Sequence, residues 1–155
     1  MMNTANSSAI QAHWLENEVL GVNCLAYSSG TVTLLNIYTV ASEDGGKHYV
    51  FPLADTTISS LEQYNEDIWT EVQAHPTSLT VDNLQLFCGE GGMGNEGFIA
   101  AKDANGLVWS LFSTESNPFV KMELVNRILS VYSDLFVYKI NIDELTAIEV
   151  LRLTA

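Results

Sequence analysis

The sequence predicts an α+β fold in which about eight mostly antiparallel strands form a twisted sheet or half-barrel with one helix packed against it. Short runs rich in Val, Leu, Ile, Thr and Tyr alternate with Gly, Asn and Ser turns along most of the chain, which is typical of antiparallel strands joined by hairpins. One segment changes to helical spacing. The chain has 155 residues, of which 47% are hydrophobic, so we expect a single domain over residues 1–155.

The predicted strands begin after a short N-terminal tail. Residues 1–8 are small and polar, and we expect them to be flexible. Glu18–Tyr27 and Thr31–Ala41 are separated by Ser-Ser-Gly and predict a hairpin. Lys47–Leu53 predicts the next strand, and Pro52, which has no backbone N–H, places it at a sheet edge or ends it. The remaining predicted strands are Thr77–Cys88, Gly97–Lys102, Leu107–Ser113, Phe119–Val125, Arg127–Ser133 and Leu135–Ile140.

Ser59–Ala74 is predicted to be the packed helix. Its apolar residues are spaced so that they share one face of a helix, which no strand would allow. Ser60 and Gln63 form a capping-box pair at its start, and Pro76 ends it. The apolar residues are Leu61, Tyr64, Ile68, Trp69 and Val72.

The C-terminal segment Asn141–Leu153 fits two structures. Asn141 can cap a short helix that has Glu144 at its third position. Thr146–Leu153 can equally form a closing strand. We favour the short C-terminal helix.

The charge balance excludes several classes of function. Nineteen Asp and Glu against six Lys and Arg give a formal net charge of -13. We therefore expect no binding to nucleic acid, whose phosphates require clustered cations, and none to anionic membranes. The N-terminus lacks the basic and apolar parts of a secretory signal, and Cys24 and Cys88 suit reduced thiols. We expect a cytoplasmic protein.

The acidic residues include a long stretch without any compensating cation. Between Lys47 and Lys102 the sequence has no Lys or Arg. On the predicted helix, Glu62 with Glu66 and Asp67 with Glu71 would be like-charge pairs, each destabilising by about 0.2–0.5 kcal/mol. The alternative to a partner surface is a solvated face that aids solubility, but the missing cations favour a surface that attracts a basic partner. The predicted partner-binding residues are Asp55, Glu62, Glu66, Asp67, Glu71, Asp82, Glu90 and Glu96, with Tyr64 and Phe98 as candidate aromatic anchors.

Motifs for chemistry give no positive signal. Gly89–Gly94 spells GxGxxG, but Asn95–Ala101 after it predicts a strand and not the helix that a dinucleotide site requires, so we interpret it as a hairpin loop. His13, His48 and His75 are far apart in the sequence, and neither cysteine lies in a CxxC pair, so we expect no metal and no cofactor. GxSxG, HExxH and SxxK are all absent from the sequence. We expect a non-catalytic protein.

The small size, the acidic segment Glu62–Glu71 and the segment Gly89–Phe119 resemble the immunity proteins of bacterial toxin systems, including contact-dependent inhibition and other polymorphic toxins. The resemblance covers roughly the middle of the chain. It implies a cytoplasmic α+β protein that neutralises a cognate toxin, often a nuclease, by occluding its basic active site. The binding residues named above come from charge density and not from the family.

Three other classes stay open. A DNA-mimic inhibitor would bind several unrelated DNA-binding proteins. A small enzyme would have a polar pocket. A structural subunit would form a stable homo-oligomer without another protein ligand, and homo-oligomers are also compatible with the immunity interpretation.

Overall fold

The secondary structure consists of two helices and twelve strands in the part of the chain that the computed structural model describes, residues 4–41, 46–65, 67–92 and 94–153. The helices are α1 (Thr4–Leu15) and α2 (Ile58–Tyr64). The strands are β1 (Glu18–Leu20), β2 (Cys24–Tyr27), β3 (Thr31–Val40), β4 (Lys47–Thr57), β5 (Trp69–Val81), β6 (Leu84–Gly91), β7 (Gly97–Asp103), β8 (Gly106–Ser113), β9 (Lys121–Val125), β10 (Ile128–Tyr132), β11 (Phe136–Asn141) and β12 (Glu144–Arg152).

The strands form two antiparallel sheets. The large sheet has eight strands in the order β1-β5-β6-β7-β8-β2-β3-β4, and the small sheet has four in the order β12-β11-β10-β9. The prediction of a mostly antiparallel sheet is confirmed. The second sheet was not predicted, and with two helices among the described residues the fold is mostly sheet, not an α+β fold with a single packed helix.

The large sheet curls strongly. Strands β1 and β2 are joined only by Gly21–Asn23, yet four other strands lie between them in the sheet. A flat sheet would hold them about 24 Å apart, whereas an extended link from Leu20 to Cys24 reaches about 14 Å. The β5 side of the sheet must therefore return toward β2. Contacts between β1 and β8 and a 2.7 Å hydrogen bond from the Thr114 N–H to Asn23 Oδ1 accompany this curl.

Two cores lie on opposite faces of the large sheet. The inter-sheet core separates it from the small sheet, and the helix-side core lies under α1 and α2. In β2, Leu25 points into the inter-sheet core while Cys24 and Ala26 point into the helix-side core. Because both faces are covered, Gly97–Ala101 is buried without alternation. Cys88 belongs to the inter-sheet core, so the sheet separates it from Cys24 and the two thiols cannot form a disulfide.

Helix α1 contains residues that the sequence analysis assigned to a flexible tail. It begins at Thr4, so Thr4–Ser8 are helical, and residues 1–3 lie outside the described residues. Ile10 is buried, and the Gln11 amide pairs with the backbone of Leu107 through two hydrogen bonds of 2.8 and 2.9 Å. The helix is therefore attached to the start of β8 by contacts that are remote in sequence.

The predicted helix Ser59–Ala74 is wrong over most of its length. Helix α2 ends at Tyr64, Asp67 has a positive φ of 50°, and Trp69 begins β5. The predicted capping box is also wrong, because the cap is Thr57, whose side chain accepts from the Ser60 N–H. The segment that follows α2 pairs with β1 and β6 in a sheet and does not form the hydrogen bonds of a helix. Such tertiary pairing overrides the helical preference that the spacing of the apolar residues indicates.

The favoured C-terminal helix is wrong as well. Asn141–Leu153 contains a two-residue turn and strand β12, which pairs with β11. The alternative of a closing strand is the correct one. The predicted strand Thr77–Cys88 is divided by a turn at Asp82 and Asn83 into the end of β5 and the start of β6.

Several local predictions are confirmed. Strands β2 and β3 form the predicted hairpin around Ser28–Gly30. Strand β4, which contains Pro52, is an edge strand of the large sheet. Strands β7 and β8 pair across the two-residue turn Ala104–Asn105; the Asp103 carboxylate accepts from the Asn105 N–H, and Gly106, the first residue of β8, has a φ of 119°.

Candidate functional site

Three acidic residues share one face of the large sheet where β1, β5 and β6 pair. The pairing of β1 with β5 places Glu18 directly opposite Glu71. The pairing of β5 with β6 places Glu90 opposite Gln73, two residues along β5 from Glu71. Glu96 lies apart from them, because its carboxylate lies against Gly91, which pairs with Val72 and faces the opposite side of the sheet. We call Glu18, Glu71 and Glu90 the acidic edge.

The acidic edge is weakly neutralised. Among the described residues, no ion pair within 4 Å joins a Lys or Arg to Glu18, Glu71 or Glu90. The one recorded partner of Glu18 is His13, whose Nδ1 lies 2.7 Å from Glu18 Oε1 and whose ring stacks on Trp69 at 3.7 Å. Like charges directly opposite on neighbouring strands are destabilising, so the Glu18–Glu71 pair opposes folding.

Three other predicted acidic residues lie apart from the acidic edge. Asp82 lies in the turn just after β5, ~36 Å along the strand from Glu71 at the usual rise of a strand, and it forms a 3.0 Å ion pair with Arg127. Asp55 is on β4, where its carboxylate accepts a 2.7 Å hydrogen bond from Thr33. Glu62 is exposed on α2.

The predicted helical charge pairs do not form on a helix. Asp67 is exposed in the link between α2 and β5, and Glu71 lies in β5. Glu66 lies outside the described residues. The like-charge contact in the structure is the cross-strand pair of Glu71 with Glu18, which sequence spacing could not indicate because the register of β1 on β5 is non-local.

The two candidate aromatic anchors differ in exposure. Phe98 is 1% exposed in the helix-side core, so its assignment as a surface anchor is wrong: β7 is covered on both faces, and a partner could not reach the ring. Tyr64 is 77% exposed at the end of α2. Its role as an anchor stays a prediction.

The GxGxxG segment is a hairpin connection, as interpreted from the sequence. Strand β6 ends at Gly91 and β7 begins at Gly97, with no helix between the described residues there. A Cβ at Gly89 would overlap the carbonyl oxygen of Gln73, so this glycine permits the close approach of β5 and β6. The connection and the neighbouring part of β5 form a shallow groove of about 260 Å³ that Glu71 and Glu90 line.

A row of polar side chains, missed by the sequence analysis, links the two sheets; it is buried except at Thr39, its exposed end. His48 Nε2 lies 2.6 Å from the Tyr138 hydroxyl, and His48 Nδ1 lies 3.0 Å from Thr39 Oγ1. Ser113 Oγ lies 3.1 Å from the same Tyr138 hydroxyl. We call Thr39, His48, Tyr138 and Ser113 the polar chain. The strand pattern around His48 gave no sign that a residue from β11 would cover it.

Burial shifts the pKa values of the two titratable groups in the polar chain. It lowers the pKa of His48, against a smaller opposing effect of Glu115, and it raises the pKa of the Tyr138 phenol. Both groups are therefore uncharged near neutral pH. Burial likewise raises the pKa of Cys24 to about 12 and that of Cys88 to about 11, so neither thiol is an activated nucleophile.

No group of three His, Cys, Asp or Glu that could hold a metal occurs among residues 4–41, 46–65, 67–92 and 94–153. Within the same ranges, no helix is long and apolar enough to cross a membrane. In comparisons with known proteins, no family model matches the chain, and no curated protein matches it.

Proposed function

We propose that the protein is a non-catalytic inhibitor of the immunity type, which binds and neutralises a basic cognate protein, such as a nuclease toxin, in the cytoplasm. The observation that carries the proposal is the acidic edge. Glu71 faces Glu18 across two strands, and the part of the chain between Lys47 and Lys102 supplies no Lys or Arg to neutralise them.

The physical basis is long-range attraction. A net charge of -13 produces a negative potential over the surface, and a cluster of like charges concentrates that potential at one place. A partner with a basic active-site cleft would be drawn to this place, and the encounter would be faster at low salt. Occupying the cleft would exclude its negatively charged substrate.

The interface also needs apolar contact, because rim charges mainly set the association rate and buried anchors set most of the affinity. Tyr64 is the predicted anchor that the fold leaves exposed. It lies at the end of α2, which residues 65–68 join to β5, the strand that carries Glu71.

The experiment is complex formation with the C-terminal domain of the protein encoded by the neighbouring reading frame. We expect a stoichiometric complex in size-exclusion chromatography, loss of that domain's toxic activity, and no complex with lysozyme, an unrelated basic protein, at 150 mM salt. Equal binding to lysozyme would show that the attraction is non-specific and depends only on charge, which would contradict the proposal. Binding to several unrelated DNA-binding proteins would instead favour a DNA mimic.

A further inference from the structure

When His48 is neutral, the hydrogen bonds of the polar chain all donate in the same direction, from Ser113 through Tyr138 and His48 to Thr39. The Glu115 N–H donates to Ser113 Oγ, which leaves the Ser113 hydroxyl to donate to the Tyr138 oxygen. The Tyr138 hydroxyl then donates to His48 Nε2, and the Nδ1–H donates to Thr39 Oγ1. Every hydrogen has an acceptor in this arrangement, which assigns the Nδ1–H tautomer to His48.

Protonation of His48 reverses this arrangement. An imidazolium donates from both nitrogens, so Nε2–H would point at the Tyr138 oxygen and the Tyr138 hydroxyl would have to turn toward Ser113. The Ser113 hydroxyl, which is fully buried and already accepts from the Glu115 N–H, would then lose its acceptor in the chain. A buried cation and a buried unpaired hydroxyl are both unfavourable.

The polar chain connects one edge of the large sheet to the small sheet. Thr39 and His48 belong to β3 and β4, whereas Tyr138 belongs to β11, and the His48 ring also packs on Phe136 at 4.6 Å. Beside His48, strands β4 and β12 border an open groove of about 960 Å³. The polar chain thus lies where the two sheets would separate if this groove widened.

The charged groups around His48 do not compensate a positive charge on it. No carboxylate of the described residues lies within 4 Å of its ring nitrogens. Glu115 favours protonation from a distance, but burial has the larger and opposite effect. The charged side chains that line the groove are of both signs: Lys47, Asp134, Glu149 and Arg152.

We propose that His48 is an acid-sensitive latch between the two sheets, and that its protonation releases β4 from the small sheet and opens the groove between β4 and β12. Neutral His48 accepts the Tyr138 hydrogen bond and holds the sheets together. Charged His48 cannot accept that bond. The proposal does not depend on the acidic edge or on the proposed function.

The test is amide hydrogen exchange followed by NMR on the full chain at pH 7.5 and pH 5.5, corrected for intrinsic exchange rates. The ring nitrogens of His48 are followed in parallel to report its tautomer and charge. The matched control is the double variant His13→Gln, His75→Gln, which removes the other two histidines. We expect protection of the amides in β4 and β12 to fall at least threefold on acidification in the wild type and in this control, and to stay constant in His48→Gln.

A second variant keeps the test decisive where His48→Gln fails to fold. Tyr138→Phe retains the ring and removes the hydroxyl that His48 contacts. We expect its β4 and β12 amides to be less protected already at pH 7.5, and the change on acidification to shrink to less than twofold. Constant protection of the wild type down to pH 5.5, or a change of threefold or more that persists in either variant, would overturn the latch.

Discussion

The two ends of strand β5 carry acidic residues in opposite circumstances. Near its start, Glu71 faces Glu18, with no Lys or Arg within ion-pair distance among the described residues. Just after its end, Asp82 pairs with Arg127, whose guanidinium also forms two hydrogen bonds of 2.6 and 2.8 Å with Asp143. One guanidinium thereby joins hairpin turns of the large and the small sheet.

The difference shows that ion pairs in this fold neutralise acidic residues where the ion pair also connects parts of the structure. Arg127 is held in place by a two-residue turn in which Asn126 and Arg127 both have positive φ, 51° and 64°. Among the described residues, no Lys or Arg lies within ion-pair distance of Glu18, Glu71 or Glu90. The proposed function assigns this charge to an interaction with a partner. Variants at the two ends of β5 test this contrast, in order of expected effect.

The largest loss of stability is expected when a charged side chain is introduced into the helix-side core just before β5. Ile68 is 3% exposed in the helix-side core and accepts a hydrogen bond from the Gly21 N–H through its carbonyl. Ile68→Asp should lower the free energy of unfolding by about 3–5 kcal/mol, because the carboxylate would be buried without a partner. Urea denaturation measures this loss. Thr80→Asp, at an exposed position of β5, is the control and should leave the midpoint almost unchanged; equal midpoints for both variants would contradict the described core.

The next effect is expected at the neutralised end of β5. Arg127→Met should lower the melting temperature, and the loss should shrink as salt is added, because exposed ion pairs are screened. Lys102→Met removes the same charge from a residue with no recorded ion pair and is the control. A loss that is equal in both variants would show that Arg127 acts only through net charge.

The same variant has a predictable pH dependence. Arg127 holds the pKa of Asp143 below its usual value of 3.8, so the folded state binds this proton less readily than the unfolded state. The stabilisation is therefore present above pH 3.8 and is lost as the pH falls through the lowered pKa of Asp143. Wild type and Arg127→Met should converge in stability in this acidic range, as thermal unfolding between pH 7 and pH 2.5 would measure.

The smallest effect is expected at the acidic edge itself. Glu71→Lys replaces a repulsive cross-strand contact with Glu18 by an attractive one and should stabilise the protein by about 0.5 kcal/mol. Glu144→Lys is the control, since Glu144 lies opposite Asn141 and not opposite an acidic residue. Chemical denaturation compares the two. A destabilised Glu71→Lys variant would contradict the claim that Glu18 and Glu71 repel each other.

Local features of the fold could be predicted from the sequence, whereas contacts between distant segments could not. The turn Ser28–Gly30 and the edge position of Pro52 follow from conformational preferences of one or a few residues. The segment after Tyr64 has apolar spacing that suits a helix, but pairing with β1 and β6 makes it a strand. Such pairing depends on register, which local spacing does not determine.

The site shows the same division. Charge density along the sequence identified Glu71 and Glu90 as members of a stretch without cations, and their role in binding stays a prediction. Charge density did not indicate that Glu18 lies opposite Glu71, or that Asp82 lies far from these two residues. Both facts depend on where the strands begin and how they pair. The sequence analysis also indicated no partner for His48, which is 5% exposed and lies 2.6 Å from the hydroxyl of Tyr138, a residue distant in the sequence.

The most direct test of the central claim is the rate of association with the cognate basic partner as a function of salt. The variant Glu71→Lys, Glu90→Lys reverses two charges of the acidic edge. The control Glu144→Lys, Glu149→Lys makes the same change in net charge at exposed positions of the small sheet. If the acidic edge steers the partner, the first variant should associate about tenfold more slowly at low salt, with a flatter salt dependence, and the control should change far less. Equal rates and equal salt dependence for the two variants would show that only net charge matters and would contradict the account.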